Sequence, residues 1–168
     1  MIGIKSETWL NAREVRQAVN EAVIEPLDKA ALLVKTAAQE SMKMGGGTEK
    51  NSSAPGDPPN VQSGNLRNNI DWAREGDTNR VIGPTTTAWY GRVMEYGAVI
   101  KVTYKMRWFL GLAMDIWLKK STKTIHIAPR PFMHPALDRS RGAILKLFKN
   151  LKLADTPTGR RLNRIGRK

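Results

Sequence analysis

Two stretches decide the fold: MEYGAVIKVTYK at residues 94–105 and RPFMHPALDRSRGAILKLFKNL at residues 130–151. Val99 to Tyr104 follow a glycine and are rich in β-branched and aromatic side chains, which favours a strand. Pro135 suits the first position of a helix, where its missing N–H costs no hydrogen bond. We therefore expect a strand and a C-terminal helix that pack together.

The C-terminal helix is expected to be amphipathic. Its apolar residues recur at helical spacing and form one stripe: Leu137, Ile144, Phe148 and Leu151. Its basic residues lie largely off that stripe: Arg139, Lys146, Lys149 and Lys152. One side of the helix should therefore face a core, and the other should face water or an anion.

Composition indicates one globular domain with an uneven charge. The 168 residues are 40% hydrophobic and 26% charged, and they include no cysteine, which excludes disulfides and thiolate metal sites. Residues 1–100 hold 11 basic and 12 acidic side chains, whereas residues 101–168 hold 17 and 3. We expect a single α+β domain over residues 1–151 and a basic, flexible tail over residues 152–168, with no signal peptide and no membrane span.

The N-terminal part predicts a long helix followed by a loop. Small and apolar residues recur every three or four positions over residues 9–44, in phase through Pro26, which predicts one kinked helix. Gly45 to Gly47 end this helix. Residues 48–63 are polar and rich in proline, which predicts a mobile loop that orders only against a neighbouring molecule.

The middle of the chain predicts short elements. Residues 71–74 and 80–83 flank a turn and predict a hairpin, residues 87–96 predict a short helix ended by Gly97, and residues 124–128 alternate as a last strand. The expected fold is α+β, with a small antiparallel sheet of about four strands, short helices between the strands, and the C-terminal helix packed on the sheet.

Residues 105–120 are apolar almost all round and predict another helix. It is either buried within the monomer, which we expect, or exposed and docked on a partner. In the second case Trp108, Phe109 and Trp117 are the candidate docking residues.

Candidate catalytic chemistry is sparse. His126 and His134 lack the spacing and carboxylate neighbours of a metal site, and Glu95 has no second carboxylate at a suitable spacing. The glycines before Thr48 lack the lysine of a phosphate-binding loop. We predict no catalytic residues, no metal, no cofactor and no small-molecule substrate.

Three motifs nevertheless resemble a known family. They are APGDPPNVQSGNLRNNI at residues 54–70, WYGRVMEYGA at residues 89–98 and HIAPRPFMHPAL at residues 126–137. Their order and spacing, with the helices before and after them, resemble the tail-completion or head-tail joining (neck) proteins of tailed bacteriophages. That group includes minor tail protein Z-like and virion-morphogenesis proteins. The resemblance spans about residues 9–151.

The resemblance implies fold and interface residues in each motif. They are Ser63, Gly64, Leu66 and Arg67 in the first, Tyr90, Glu95, Tyr96 and Gly97 in the second, and Arg130, Pro131, Phe132, Pro135, Ala136 and Leu137 in the third. Phe132 is a candidate core anchor, and Arg130 is hypothesised to pair with Glu95.

The resemblance also implies a function without catalysis. Such proteins form a ring, commonly a hexamer, that completes the tail tube and joins it to the head connector in the virion, after assembly in the cytoplasm of the bacterial host. A repeated head-to-tail contact that closes on itself makes such a ring. The basic tail would then face DNA in the lumen or an acidic protein surface: Arg160, Arg161, Arg164, Arg167 and Lys168.

The alternative is a sequence-independent nucleic-acid-binding protein that uses the basic C-terminal half. Against it, Trp89, Trp108 and Trp117 are not interleaved with the basic tail, as a base-stacking platform would require.

Overall fold

A computed structural model describes residues 12–44, 52–149 and 151 of the chain and shows the predicted α+β class. Five helices occur in this part: α1 Ala12–Ser41, α2 Asn65–Asn68, α3 Gly91–Tyr96, α4 Tyr104–Met114 and α5 Met133–Lys149. The strands are β1 Ile70–Glu75, β2 Asn79–Pro84, β3 Ala98–Lys101 and β4 Thr124–Ile127. A 3-10 turn, Thr86–Ala88, precedes α3.

The prediction of one sheet of about four strands is wrong. β1 pairs only with β2, and β3 pairs only with β4, so the described residues form two separate antiparallel sheets. In the second sheet Ala98 lies opposite Ile127 and Lys101 lies opposite Thr124. Most side chains of β1 are exposed, so this strand offers little apolar surface for joining a larger sheet.

Two compact units make up the chain, and both are discontinuous in sequence. In the described part, the first holds residues 12–34, 72–82 and 139–149, and the second holds residues 35–71 and 83–138. That residues 1–151 fold as a single domain stays a prediction. Gly45 to Gly47 and the basic tail at residues 152–168 lie outside the described residues.

In the first unit, α1 carries a carboxylate that binds the hairpin. The helix is continuous through Pro26, which confirms one helix in place of two. Asp28 accepts a hydrogen bond from the Nε of Arg80 at 2.6 Å, and it also pairs with Arg74. The hydrogen bond from Arg74, followed by that from Arg80, lowers the pKa of Asp28 below its ordinary value.

The second unit has a small core built from several elements. Its buried apolar residues come from the end of α1 and the residue after it, from α2, β1 and the 3-10 turn, and from the start of α5 and the residue before it: Ala38, Met42, Leu66, Ile70, Ala88, Phe132 and Ala136. Phe132 and Ile70 are the largest fully buried side chains, so the prediction of Phe132 as a core anchor is confirmed.

The described part of the proline-rich loop, residues 52–63, makes backbone hydrogen bonds within the second unit. The N–H of Gly56 donates to the carbonyl of Pro129 at 2.8 Å, and that of Val61 donates to the carbonyl of Lys43 at 2.8 Å. A neighbouring molecule is therefore not needed for these contacts, in contrast to our expectation. The mobility of the loop stays a prediction.

Helix α5 starts at a different residue from the one predicted, and its buried side differs in part from the predicted apolar stripe. It begins at Met133, so Pro135 is its third residue and not its first. Of the predicted apolar stripe, Ile144, Phe148 and Leu151 are half-buried, whereas Leu137 is 47% exposed. The buried positions of this helix are Ala136 and Ser140. A buried face formed by small residues cannot be recognised from a stripe of large apolar ones. The packing of this helix on a sheet stays a prediction.

Candidate functional site

The end of α3 and the start of α5 meet at Glu95. Its side chain is buried, and its Oε2 accepts hydrogen bonds from the backbone N–H groups of Phe132 at 2.8 Å and Met133 at 3.0 Å. Its Oε1 accepts from the N–H of His134 at 3.0 Å. The first N–H groups of a helix have no partner within the helix, and a negative charge is favourable at that end. Glu95 therefore caps α5 from another element.

The hypothesis that Arg130 pairs with Glu95 is wrong. The Nε of Arg130 donates to the carbonyl of Ser53 at 3.1 Å, and its Nη2 donates to the Oγ of Ser52 at 3.2 Å. The carboxylate of Glu95 already accepts three backbone hydrogen bonds, which take the place of an arginine partner. Arg130 instead holds the proline-rich loop.

Gly97 allows the second motif to pack closely against the third. It ends α3, as predicted, with a φ of 72° and a ψ of 175°, a conformation that is essentially restricted to glycine. A Cβ at this position would lie 2.7 Å from the carbonyl oxygen of Ile127. The backbone of β4 can therefore approach only because residue 97 has no side chain. Tyr96 beside it is exposed.

The three motifs meet around one cavity of the second unit. This cavity, of about 160 Å³, is lined by motif residues Ser63, Gly64, Leu66, Arg67, Tyr90 and Arg130, together with Ser52, Ser53 and other residues. The side chain of Asn65 links the first two motifs, since its Nδ2 donates to the Oη of Tyr90 at 3.3 Å. Segments far apart in sequence thus form one site, which we call the arginine cavity.

Helix α4 is exposed along one side, so the expectation that it is buried in the monomer is wrong. Tyr104, Trp108, Phe109 and Leu112 are between 49% and 74% exposed. The spacing of four residues places Tyr104, Trp108 and Leu112 along the same side of the helix. The rings of Tyr104 and Trp108 are in edge contact, with centroids 6.1 Å apart. We call these four residues and Trp117 the aromatic surface.

Trp117 belongs to this surface because the chain folds back after α4. Its ring lies against Gly111, where a Cβ would come within 2.9 Å of the indole. Its Nε1 donates to the Oδ1 of Asp115 at 3.0 Å, and the indole is 69% exposed. Trp108, Phe109 and Trp117, the candidate docking residues, are therefore all exposed.

Arg107 holds α4 to the chain that follows it, and no sequence motif singles this residue out. Its guanidinium donates to the carbonyl oxygens of Leu118, Lys119, Lys120 and Thr122. The sequence signal is a cation inside a largely apolar segment. One guanidinium thus donates to several carbonyls of the segment that leads from α4 back to β4. These bonds hold the aromatic surface in place on the segment between β3 and β4.

Residues 12–44 and 52–149 lack both a cluster of metal-ligating side chains and a helix that could span a membrane. No group of three or more His, Asp or Glu residues there could hold a metal ion. His126 and His134 are both exposed. None of the helices described combines the length and apolar character needed to cross a bilayer. The basic residues from Arg160 to Lys168 lie outside the described part of the chain.

Comparison of the chain with known protein families, curated proteins and solved structures gives no match. The likeness to tail-completion proteins therefore rests on the three sequence motifs alone.

Proposed function

We propose that this protein is a structural component of a phage head-tail junction, which assembles as a ring through the aromatic surface of α4. The observation that carries the proposal is the exposure of four large apolar side chains on one helix: Tyr104, Trp108, Phe109 and Leu112. Exposed apolar clusters of this kind are typical of association sites. Full burial of such a side chain contributes roughly 1.5–3 kcal/mol, so a few of them can stabilise an interface.

The charges around α4 fit a protein partner. Exposed lysines lie beside or on the segment between β3 and β4: Lys101, Lys105, Lys119, Lys120 and Lys123. An apolar centre with a polar, charged rim is the usual anatomy of a protein interface. In the proposed ring, the surface of one copy meets a different face of the next copy, which is the head-to-tail contact that closed rings require.

The proposal includes the partners that the motif resemblance implies. The ring, with six copies favoured, completes the tail tube and contacts the head connector or head-closure protein in the virion, after assembly in the host cytoplasm. DNA passes through its lumen, where the basic tail balances phosphate charge without reading sequence. The protein has no catalytic step, and its mechanism is surface complementarity.

A second candidate function is sequence-independent nucleic-acid binding. It is favoured by the exposed cations of α5, among them Arg141, Lys146 and Lys149. A protein that acts in this way should bind arbitrary duplex DNA with an affinity that falls steeply as salt rises.

The deciding experiment measures the mass of the protein by light scattering at several concentrations, alone and with the tail-tube protein of the same phage. A defined ring, formed alone or on mixing, is expected. Trp108→Ser should reduce assembly, whereas Trp89→Ser, which removes a still more exposed indole outside α4, should not. If both variants assemble like the parent, the aromatic surface is not the interface. A monomer in every condition with salt-sensitive DNA binding would favour the second function.

A further inference from the structure

We propose that the arginine cavity is a binding site for a small oxyanion, either a carboxylate or a phosphate group. The site lies wholly within the second unit and includes Ser53, Arg67, Tyr90 and Arg130. This inference goes beyond the proposed function and does not depend on ring formation.

The first argument is charge. Among the described residues that line the cavity, two are arginines and none is an aspartate or a glutamate. Among the described residues, the guanidinium of Arg130 hydrogen-bonds to neutral groups of Ser52 and Ser53, and the Nη1 of Arg67 contacts the Sδ of Met44 at 3.7 Å. Neither arginine takes part in the ion pairs of the described chain. Among the described residues of the lining, no carboxylate therefore balances these two positive charges.

The second argument is the direction of the hydroxyl groups. The Oγ of Ser52 accepts from Arg130, the Oγ of Ser63 accepts from the N–H of Asn65 at 3.3 Å, and the Oη of Tyr90 accepts from Asn65 at 3.3 Å. Each of these oxygens is thus engaged as an acceptor, and its own hydrogen is left to donate elsewhere. The lining is rich in donors, which favours a ligand that can only accept.

The third argument is the hydroxyl of Ser53. Its Oγ is buried, and no group in the described part of the chain bonds to it. A buried polar atom without a partner is costly, so a ligand that accepts from this hydroxyl would gain more than it would at a solvated one. Ser53 is also positioned by Arg130, which donates to its carbonyl at 3.1 Å.

Size and chemistry together define the ligand class. The cavity volume of about 160 Å³ admits a group of a few heavy atoms. Carboxylate and phosphate oxygens are acceptors with negative charge, and arginine binds both through charge-assisted hydrogen bonds. A neutral or cationic group of the same size would leave the two guanidiniums uncompensated. Such an oxyanion has two possible sources, a free phosphate compound and an acidic side chain of a protein.

The test uses the isolated protein and two probes, inorganic phosphate and a glutamate blocked at both its amino and its carboxyl terminus. Binding is followed by NMR shifts of the arginine Nε–H signals at constant ionic strength, with chloride as the reference anion. We expect saturable shifts of the Arg130 signal with at least one probe. Saturation by phosphate alone identifies a phosphate ligand, and saturation by the blocked glutamate alone identifies an acidic side chain.

Variants then assign the site. Arg67→Gln should weaken binding about tenfold through the loss of a bond from a charged donor, and Ser53→Ala about threefold through the loss of a bond from a neutral donor. Arg130 is left intact because it holds the loop. Since the Oγ of Ser53 has no partner to lose, Ser53→Ala should keep the melting temperature of the parent, which separates binding from folding.

The matched control is Arg92→Gln, which removes one exposed positive charge outside the cavity. Its affinity for the probe should equal that of the parent. The proposal is overturned if neither probe saturates, if Arg92→Gln weakens binding as much as Arg67→Gln, or if both cavity variants bind like the parent. A failure of ring assembly has no bearing on these results.

Discussion

Glu95 and the aromatic surface of α4 lie in the same unit. Glu95 has hydrogen-bond partners within the chain, whereas the aromatic surface is largely exposed. Glu95 is 8% exposed, and its two carboxylate oxygens accept three hydrogen bonds from one helix terminus. Phe109 is 60% exposed, and its neighbours on the same side of α4 are also exposed. The first site is satisfied within the chain, whereas the second leaves apolar surface in water. Stability should therefore depend on the first, and association on the second.

The contrast also separates two kinds of residue, those that hold the fold and those that remain exposed to contact a partner. Residues such as Glu95 and Gly97 are required by the chain itself, since they let α3, β4 and α5 meet. Residues such as Phe109 are not required by the described fold in the same way, because most of their surface contacts no other part of it. Only substitutions can decide whether this division is real.

The largest effect is expected for Glu95→Ala. It removes the acceptor of three backbone N–H groups at the start of α5 and should lower the free energy of unfolding by about 3–5 kcal/mol. Urea unfolding measures this loss. Glu95→Gln keeps one acceptor oxygen and should lose less, and Glu75→Gln, at an exposed strand position, should change stability by no more than about 0.5 kcal/mol. Equal losses for Glu75→Gln and Glu95→Ala would contradict the capping role.

A smaller effect, seen in the pH dependence, is expected at Asp28 of the first unit. Arg74, and then Arg80, lower the pKa of this carboxyl in the folded chain. Its contribution to stability is thus present above the unfolded-state pKa of about 3.9 and is lost as the pH falls through the lower folded-state pKa. Asp28→Asn should therefore flatten the decline of urea stability below about pH 4.

The control for Asp28→Asn is Asp57→Asn, since the Asp57 carboxylate is exposed and forms none of the ion pairs of the described chain. This variant should keep the acid dependence of the parent. An unchanged acid decline in Asp28→Asn would show that the two arginines do not make this carboxylate a stabilising group.

Local patterns predicted the elements well, because helices and hairpins depend on nearby residues. The long helix through Pro26, the hairpin of β1 and β2, the stop at Gly97 and the strand β4 all occur where spacing and turn residues placed them. The number of strands in one sheet was wrong because strand pairing depends on distant segments. Such pairing leaves no periodic signal in one sequence.

The motifs pointed to some residues of the candidate site, such as Arg67 and Arg130, but not to Ser53 and not to the contacts among them. The motifs named Glu95, Arg67 and Arg130, yet the pairing of two opposite charges was the wrong inference. Backbone N–H groups, which no sequence displays, compete for the same carboxylate. Likewise, Arg107 could not be found, because its acceptors are four backbone carbonyls. The exposure of α4 was missed because an apolar segment does not reveal whether it faces a core or a partner.

The smallest effect on monomer stability is expected for Phe109→Ala, and it tests the comparison most directly. Phe109 is 60% exposed and Phe132 is fully buried, so the same substitution can be made on both sides of the contrast. At a concentration where the protein is monomeric, Phe109→Ala should change the free energy of unfolding by no more than about 0.5 kcal/mol, whereas Phe132→Ala should cost about 3–5 kcal/mol.

At higher concentration the parent should gain stability through association, and Phe109→Ala should gain less, because binding to the folded state alone raises its apparent stability. Similar losses for both variants in the dilute protein would mean that α4 packs within the monomer, and the division between a stabilising site and an associating surface would then be wrong.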